Sequence, residues 1–213
     1  MTLPRVQPVI PTWRKDPFDD PDWLFDVKYD GFRALCYIED GRCTFVSRRG
    51  NVFTRFDPLA EQVASAICPE VVSALGVKEA VLDGEVIAAD ETGRPQFYDL
   101  LRRTGSPIYV AFDVLWLNGT DLRSLPLRER RQRLQAMLPA GSPTLSGAVS
   151  VEGRGRDLFE LMCANDLEGI VAKRLADPYK SGVRWLKIKN PHYSQKEGRA
   201  DLFNTPPRRR RFG

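Results

Sequence analysis

Hydrophobic positions over residues 23–52 fall into three short runs, LFDVKYDG, FRALCYIE and RCTFVSRR, each of which reads as a β-strand. Asp40-Gly41 between the second and third supplies a tight turn, so these strands pair antiparallel. Over residues 58–75 the period lengthens: Leu59, Val63, Ile67, Val71 and Val72 recur near helical spacing, with Pro69 as a break. Another strand is predicted over residues 80–88, closed by the polar turn DETGRP. Residues 96–103 predict a short helix, and IYVAFDVLWL a long apolar strand ended by Asn118-Gly119. Basic residues alternate with Leu134, Met137 and Leu138 over residues 128–138, which suits an amphipathic helix. A further helix is predicted over residues 156–164, and LEGIVAKR and VRWLKIK complete the strands.

The order mixes antiparallel strands with helices instead of alternating them strictly, and no internal repeat occurs, so the fold class is α+β. Pro4, Pro8, Pro11, Pro17 and Pro21 forbid a regular helix in residues 1–22, which are expected to form an extended strap on the surface. Residues 23–190 carry the periodic pattern, and residues 191–213 form a polar extension ending in TPPRRRRFG, expected to lack fixed structure.

Composition adds limits. A chain of 213 residues with 42% hydrophobic content can bury one core, or two lobes around a cleft. The net charge of +4 does not by itself imply an anionic partner. Its distribution says more: basic clusters at Arg48-Arg49, residues 128–133, 187–189 and 208–211 permit nucleic-acid contact, and equally suit solvated helix faces or a tail. Cys36, Cys43, Cys68 and Cys163 form no CxxC pair and read as reduced thiols. With no signal-peptide pattern and no apolar run near 18 residues, the expectation is a cytoplasmic protein with no membrane contact.

Four constellations can carry chemistry. Lys28-Tyr29-Asp30-Gly31-Phe32-Arg33 sits where one strand ends and the next begins; a lysine there can act as a nucleophile once its amine is neutral, and an exposed turn would have the same sequence. Asp83-Gly84-Glu85 sets two carboxylates in an apolar strand, which demands a metal, a cation or a hydroxyl, or marks a bulge at the glycine. Glu168 stands at the mouth of another apolar strand. Lys187 and Lys189 share one face of a strand, which fits a triphosphate between them or a lysine-protected sheet edge. His192, the sole histidine, has no sequence neighbour suggesting catalysis.

Taken in order, KYDGFR, SRRG, LDGE, FDVLWLNG, EGIVAKR and WLKIK resemble the collinear motifs of covalent nucleotidyltransferases, specifically ATP-dependent DNA ligases of the bacterial non-homologous end-joining type. The resemblance implies two antiparallel β-sheets flanked by helices around a nucleotide-binding cleft. It implies that Lys28 attacks the α-phosphate of ATP, with Asp30 orienting it or helping to hold a metal, and that Asp26 helps recognise adenine. Arg33 would contact the ribose or, later, the nick phosphate; Arg48 would engage the DNA end or nucleotide phosphate, while Arg49 falls at a variable position. Glu85 would contact ribose and metal, Phe112 would stack on adenine, Glu168 would help bind Mg²⁺ (or Mn²⁺), and Lys187 and Lys189 would grip phosphates. A divalent cation suits this oxygen-rich set.

The implied partners are ATP and nicked or broken duplex DNA, in a monomer close to the nucleoid. Only 24 residues follow Lys189, too few for the OB-fold domain that continues most such ligases, and they resemble the ending of small relatives with an adenylation domain alone. Slow self-adenylation, and sealing that is weak or needs a separate DNA-repair protein, are the corresponding expectations. The arginine-rich end would bind DNA by counterion release. The competing reading is a non-catalytic or partner-dependent DNA-end-binding module that retains the nucleotide fold.

Overall fold

The computed structural model describes residues 3–67, 76–90 and 94–196. Strand β1 (Thr12–Trp13) precedes β2 (Asp19–Val27), β3 (Phe32–Glu39), β4 (Arg42–Ser47), helix α1 (Asp57–Ile67) and β5 (Glu79–Ala88). Helix α2 (Phe97–Arg102), β6 (Pro107–Leu117), β7 (Thr120–Asp121) and α3 (Leu127–Met137) follow. Then come β8 (Leu145–Gly147), β9 (Ser150–Arg154), α4 (Gly155–Ala164), β10 (Gly169–Arg174) and β11 (Leu186–Lys189). The second half of the helix predicted over residues 58–75, the centre of the DETGRP turn, Cys68 and the arginine-rich end lie outside the described residues.

The strands form two sheets. One has the order β4-β3-β5-β6-β7 with β8 also on β6, and the other runs β1-β11-β10-β2-β9. The α+β, two-sheet architecture is the expected one, with two departures from antiparallel pairing: β1 runs parallel to β11, and β8 parallel to β6. The second has a simple cause, because α3 lies between β6 and β8 and turns the chain back to its original direction.

Period-two alternation decides which side chains meet. Ala34, Cys36 and Ile38 of β3 and Ala80, Leu82 and Val86 of β5 join Leu59, Val63 and Ile67 of α1 and Leu134 and Met137 of α3 in the largest core cluster. Leu35, Val81 and Leu115 point the other way, toward the second sheet, and meet Val6, Val9, Tyr179 and Trp185. Helix α4 lays Leu158 and Met162 on Phe25, Ile170 and Ile188, covering the outer face of the second sheet. No helix among the described residues is long and apolar enough to cross a membrane.

The proline-rich strap is extended, but it does not merely lie on the surface. Val6 and Val9 are buried, their N–H groups donate to the hydroxyls of Tyr37 and Tyr179 (3.2 Å each), and Thr12–Trp13 adds a strand to β11. Strand β2 begins earlier than the apolar pattern suggests, at Asp19, and tolerates Pro21 where its pairing with β9 is irregular between Asp20 and Leu24.

The basic run at residues 128–133 is corrected more sharply, because it is not a nucleic-acid surface as a unit. Arg130 is fully buried: its Nε and Nη2 donate to the two carboxylate oxygens of Asp113 (2.8 and 2.9 Å), and Nη1 donates to the Leu125 and Asp177 carbonyls. Arg131 turns inward too, donating to the carbonyls of Phe112 and Ala148. Arg128 and Arg133 remain exposed.

Candidate active site

Residues 28–31 cross from β2 in one sheet to β3 in the other, and this crossing makes the site. Its start is fixed by the Lys28 N–H donating to the Gly169 carbonyl on β10 (2.9 Å). Its end needs Gly31, because a Cβ there would stand 2.1 Å from the Val86 carbonyl oxygen of β5. The glycine therefore serves a close backbone approach within the protein.

Beside this crossing the sheets part to leave a cleft of about 650 Å³. Asp26, Lys28, Arg33, Arg48, Glu85, Phe112, Lys187 and Lys189 all line it, so most of the residues singled out from sequence converge. Register explains the convergence: Asp26 pairs with Val171 and Val171 with Lys187, which puts all three on one row of the second sheet. On the first sheet Arg33 pairs with Glu85, which brings those two opposite each other.

Glu168 joins through its ion pairs. The Lys28 ammonium lies 2.5 Å from Glu168 Oε2, and the half-exposed Lys189 ammonium 3.2 Å from Oε1. Lys187 faces the same space; burial, then Lys189, Lys28 and Arg48, pull its pKa below the usual lysine range against the pull of Glu168. Burial pushes the Glu85 carboxyl up to about 7, Lys28 and Arg33 work against that, and Glu168 and Asp83 add to it. Glu85 keeps a partial opening to the cleft, so bound cations can reach it.

Two expected residues take positions that sequence did not anticipate. Asp30 stands behind the cleft wall, 4% exposed, with its Oδ2 accepting from the Tyr193 hydroxyl at 2.7 Å. Arg33 is held by Asp83: Nε and Nη2 donate to its two carboxylate oxygens at 3.0 and 2.6 Å, and Nη1 donates to the Val9 carbonyl at 2.7 Å. Burial disfavours the charge on Arg33, but Asp83 outweighs it and raises the guanidinium pKa. Asp83 also accepts from the Tyr179 hydroxyl at 2.7 Å, so this carboxylate finds both the cation and the hydroxyl that an apolar strand demands. The alternative of a bulge also holds, since β5 pairs irregularly with β6 between Asp83 and Gly84. Phe112, half-buried, shows its ring to the cleft, with the Arg33 guanidinium carbon 5.3 Å from its centroid.

Lys173 is the principal residue that the sequence reading left without a role. It is 1% exposed, its ammonium lies 2.6 Å from Asp26 Oδ2, and it sits 4.3 Å and 4.1 Å from the ring centroids of Phe112 and Trp185. Neither Asp26 oxygen accepts a well-directed hydrogen bond in this arrangement, so the carboxylate is held by charge, with Arg131 Nη2 3.6 Å from its other oxygen. The signal was present: Lys173 is two residues after Val171, and Trp185 two before Lys187, so alternation places them on the cleft face. His192 is exposed and stands apart.

Among the described residues no three His, Cys, Asp or Glu side chains come together as a metal site. Glu168, close enough to push the Glu85 carboxyl up, and Glu85 offer two carboxylates to an ion that takes its remaining ligands from phosphate and water, the habit of Mg²⁺. The donor set therefore fits such a cation.

Known proteins share this fold and much of this sequence. The chain is 34% identical over 176 residues to the multifunctional non-homologous end joining protein LigD of Pseudomonas aeruginosa, covering 79% of this chain and 20% of that protein. It is 30% identical over 199 residues to the SPbeta prophage-derived DNA ligase-like protein LigB of Bacillus subtilis, covering 89% of this chain and 69% of that protein. A solved mycobacterial DNA ligase D complexed with ATP and MES superposes with a TM-score of 0.69 at 27% identity, over 85% of this chain and 59% of that one. The chain thus spans about a fifth of the LigD relative. The model of the ATP dependent DNA ligase domain matches residues 15–189, a stretch that begins just after β1, ends with β11 and carries Lys28, Glu85, Glu168, Lys187 and Lys189, and so this chain belongs to that family.

Proposed function

We propose that this chain is an ATP-dependent DNA ligase-type nucleotidyltransferase whose Lys28 carries AMP to a DNA 5′-phosphate during strand joining in DNA repair. One observation carries the reading: the Lys28 ammonium lies on the crossing between the sheets, 2.5 Å from Glu168, with Lys187 and Lys189 facing the same cleft. In the first step Nζ gives up a proton, for which Glu168 Oε2 is the acceptor in place, and its lone pair attacks the α-phosphorus. A P–N bond forms, the bond from the α-phosphorus to the bridging oxygen breaks, and pyrophosphate leaves with that electron pair.

Each neighbour then has a task. Lys187 and Lys189 meet the phosphate charge, and Lys189 is poised for it because its present partner, Glu168, is shared with Lys28. Asp26 faces the amine edge of adenine, and Phe112, with Trp185 beside it, offers the base an aromatic face. Glu85 and Glu168 would hold Mg²⁺, which would neutralise charge on the phosphates. In the second step a 5′-phosphate oxygen of the broken strand attacks the same phosphorus and Lys28 departs, taking back a proton. Exposed Arg48 at the cleft rim receives the DNA phosphate. The protein acts as a monomer near the nucleoid, and a separate repair protein supplies further grip on DNA.

Intact-mass measurement and labelling with radioactive ATP and Mg²⁺ test this. The wild-type protein gains one AMP and Lys28→Ala gains none; a label that survives Lys28→Ala sinks the assignment. Adenylated protein that binds nicked duplex but never passes AMP to it would favour a binding module instead.

A further inference from the structure

Residues 190–195, just past β11, run between the turn before β10 and the start of α2. The Asn190 N–H donates to the Glu168 carbonyl (3.0 Å) and its side-chain amide to the Leu167 carbonyl (3.1 Å). The Ser194 N–H donates to Asp166 Oδ1 (2.8 Å) and its hydroxyl to Oδ2 (2.5 Å). Gln195 reaches the start of α2, accepting from the Phe97 N–H and donating to the Pro95 carbonyl, each at 2.9 Å. Between these anchors lies Tyr193, 5% exposed, donating its hydroxyl to Asp30 Oδ2 at 2.7 Å.

A phenol buried at that depth is held by more than packing. Its one polar atom is spent on an acid two residues from Lys28, across 163 positions of sequence. The anchors on either side grip the turn that carries Glu168 and the start of α2. The segment therefore touches the side chain of Asp30, two residues along the chain from Lys28, and the backbone of Glu168, the acid paired with the amine.

We propose that Tyr193 is a positioning residue for nucleotidyl transfer: its hydroxyl fixes the Asp30 carboxylate behind the crossing that carries Lys28, and the segment bearing it sets that crossing relative to Glu168. The inference rests on Lys28 being the nucleophile. Tyr193 keeps its proton for this role, because burial, followed by the charges of Glu168 and Asp166, pushes the phenol pKa up. Asp30 forms no part of the cleft wall that receives ATP, so loosening it slows chemistry without weakening nucleotide binding.

Single-turnover formation of AMP-protein, measured across ATP concentrations for wild type, Tyr193→Phe, Asp30→Asn and the double variant, decides the matter. Phenylalanine keeps the ring and its packing, and thermal unfolding within a few degrees of wild type verifies that. The expected result is a rate lowered by roughly ten- to a hundredfold in Tyr193→Phe, with the half-saturating ATP concentration changed by less than about twofold. In the Asp30→Asn background the same substitution should add almost nothing, since the two act as one unit. Equal rates for wild type and Tyr193→Phe, or two losses that multiply independently, overturn the inference while leaving Lys28 in place. A wild-type protein that never takes up AMP overturns the nucleophile assignment and this inference with it.

Discussion

A carboxylate inside an apolar strand exists either paired or protonated, and the Asp83-Gly84-Glu85 triplet of β5 uses both solutions. Asp83 is fully buried and paired with Arg33 and Tyr179; Glu85, with burial dominating over the pull of Lys28 and Arg33, has its pKa pushed up to about 7. Without nucleotide or metal, folded Glu85 therefore still holds its proton at pH values where the unfolded chain has lost it. The folded state binds more protons in the window from about 4.5 to about 7, so this group's contribution to stability falls as pH rises through it. Glu85→Gln should flatten that slope in urea unfolding curves collected across the window. An unchanged slope would mean that Glu85 ionises at ordinary carboxylate pH. The triplet was visible in sequence as an anomaly, but which acid would be paired was not, since Arg33 and Tyr179 arrive from β3 and from the segment before β11.

At the scale of elements, α3 carries the clearest lesson. Its arginines alternate with leucines, and the pattern alone assigns them all to solvent, yet Arg130 is drawn into the core by Asp113 of β6 and two carbonyls. Removing one member of such a pair strands the other charge. Asp113→Ala should therefore lower stability by about 3–5 kcal/mol, whereas Arg133→Ala on the exposed face should stay within about 0.5 kcal/mol. Chemical denaturation of both variants tests the contrast, and equal small losses would show the pair to be dispensable. The crossing at residues 28–31 is a second such case. Its lysine and acid are read from sequence, but the need for Gly31 comes from β5 pressing against it.

For the whole molecule, the cleft is a gap between two separately built sheets, and a ligand that touches both ties them together. ATP at about a hundred times its dissociation constant should raise the unfolding free energy by about 2.7 kcal/mol, seen as a higher melting temperature. Lys187→Ala should diminish this rise at fixed ATP, because a phosphate partner is lost from the second sheet; an undiminished rise would remove Lys187 from the nucleotide site. What the sequence determined by itself was local periodicity, which is set by neighbours one to four positions away, and the chemistry of the residue types in its motifs: the strands, most of the helices, and the lysines and acids that could serve Lys28. Tertiary structure alone decided the partners. Arg33 finds Asp83 across 50 positions and Tyr193 finds Asp30 across 163, because strand register and the return of the chain past β11 bring these groups together. Such contacts depend on where two sheets come to rest against each other, and no local spacing encodes that distance.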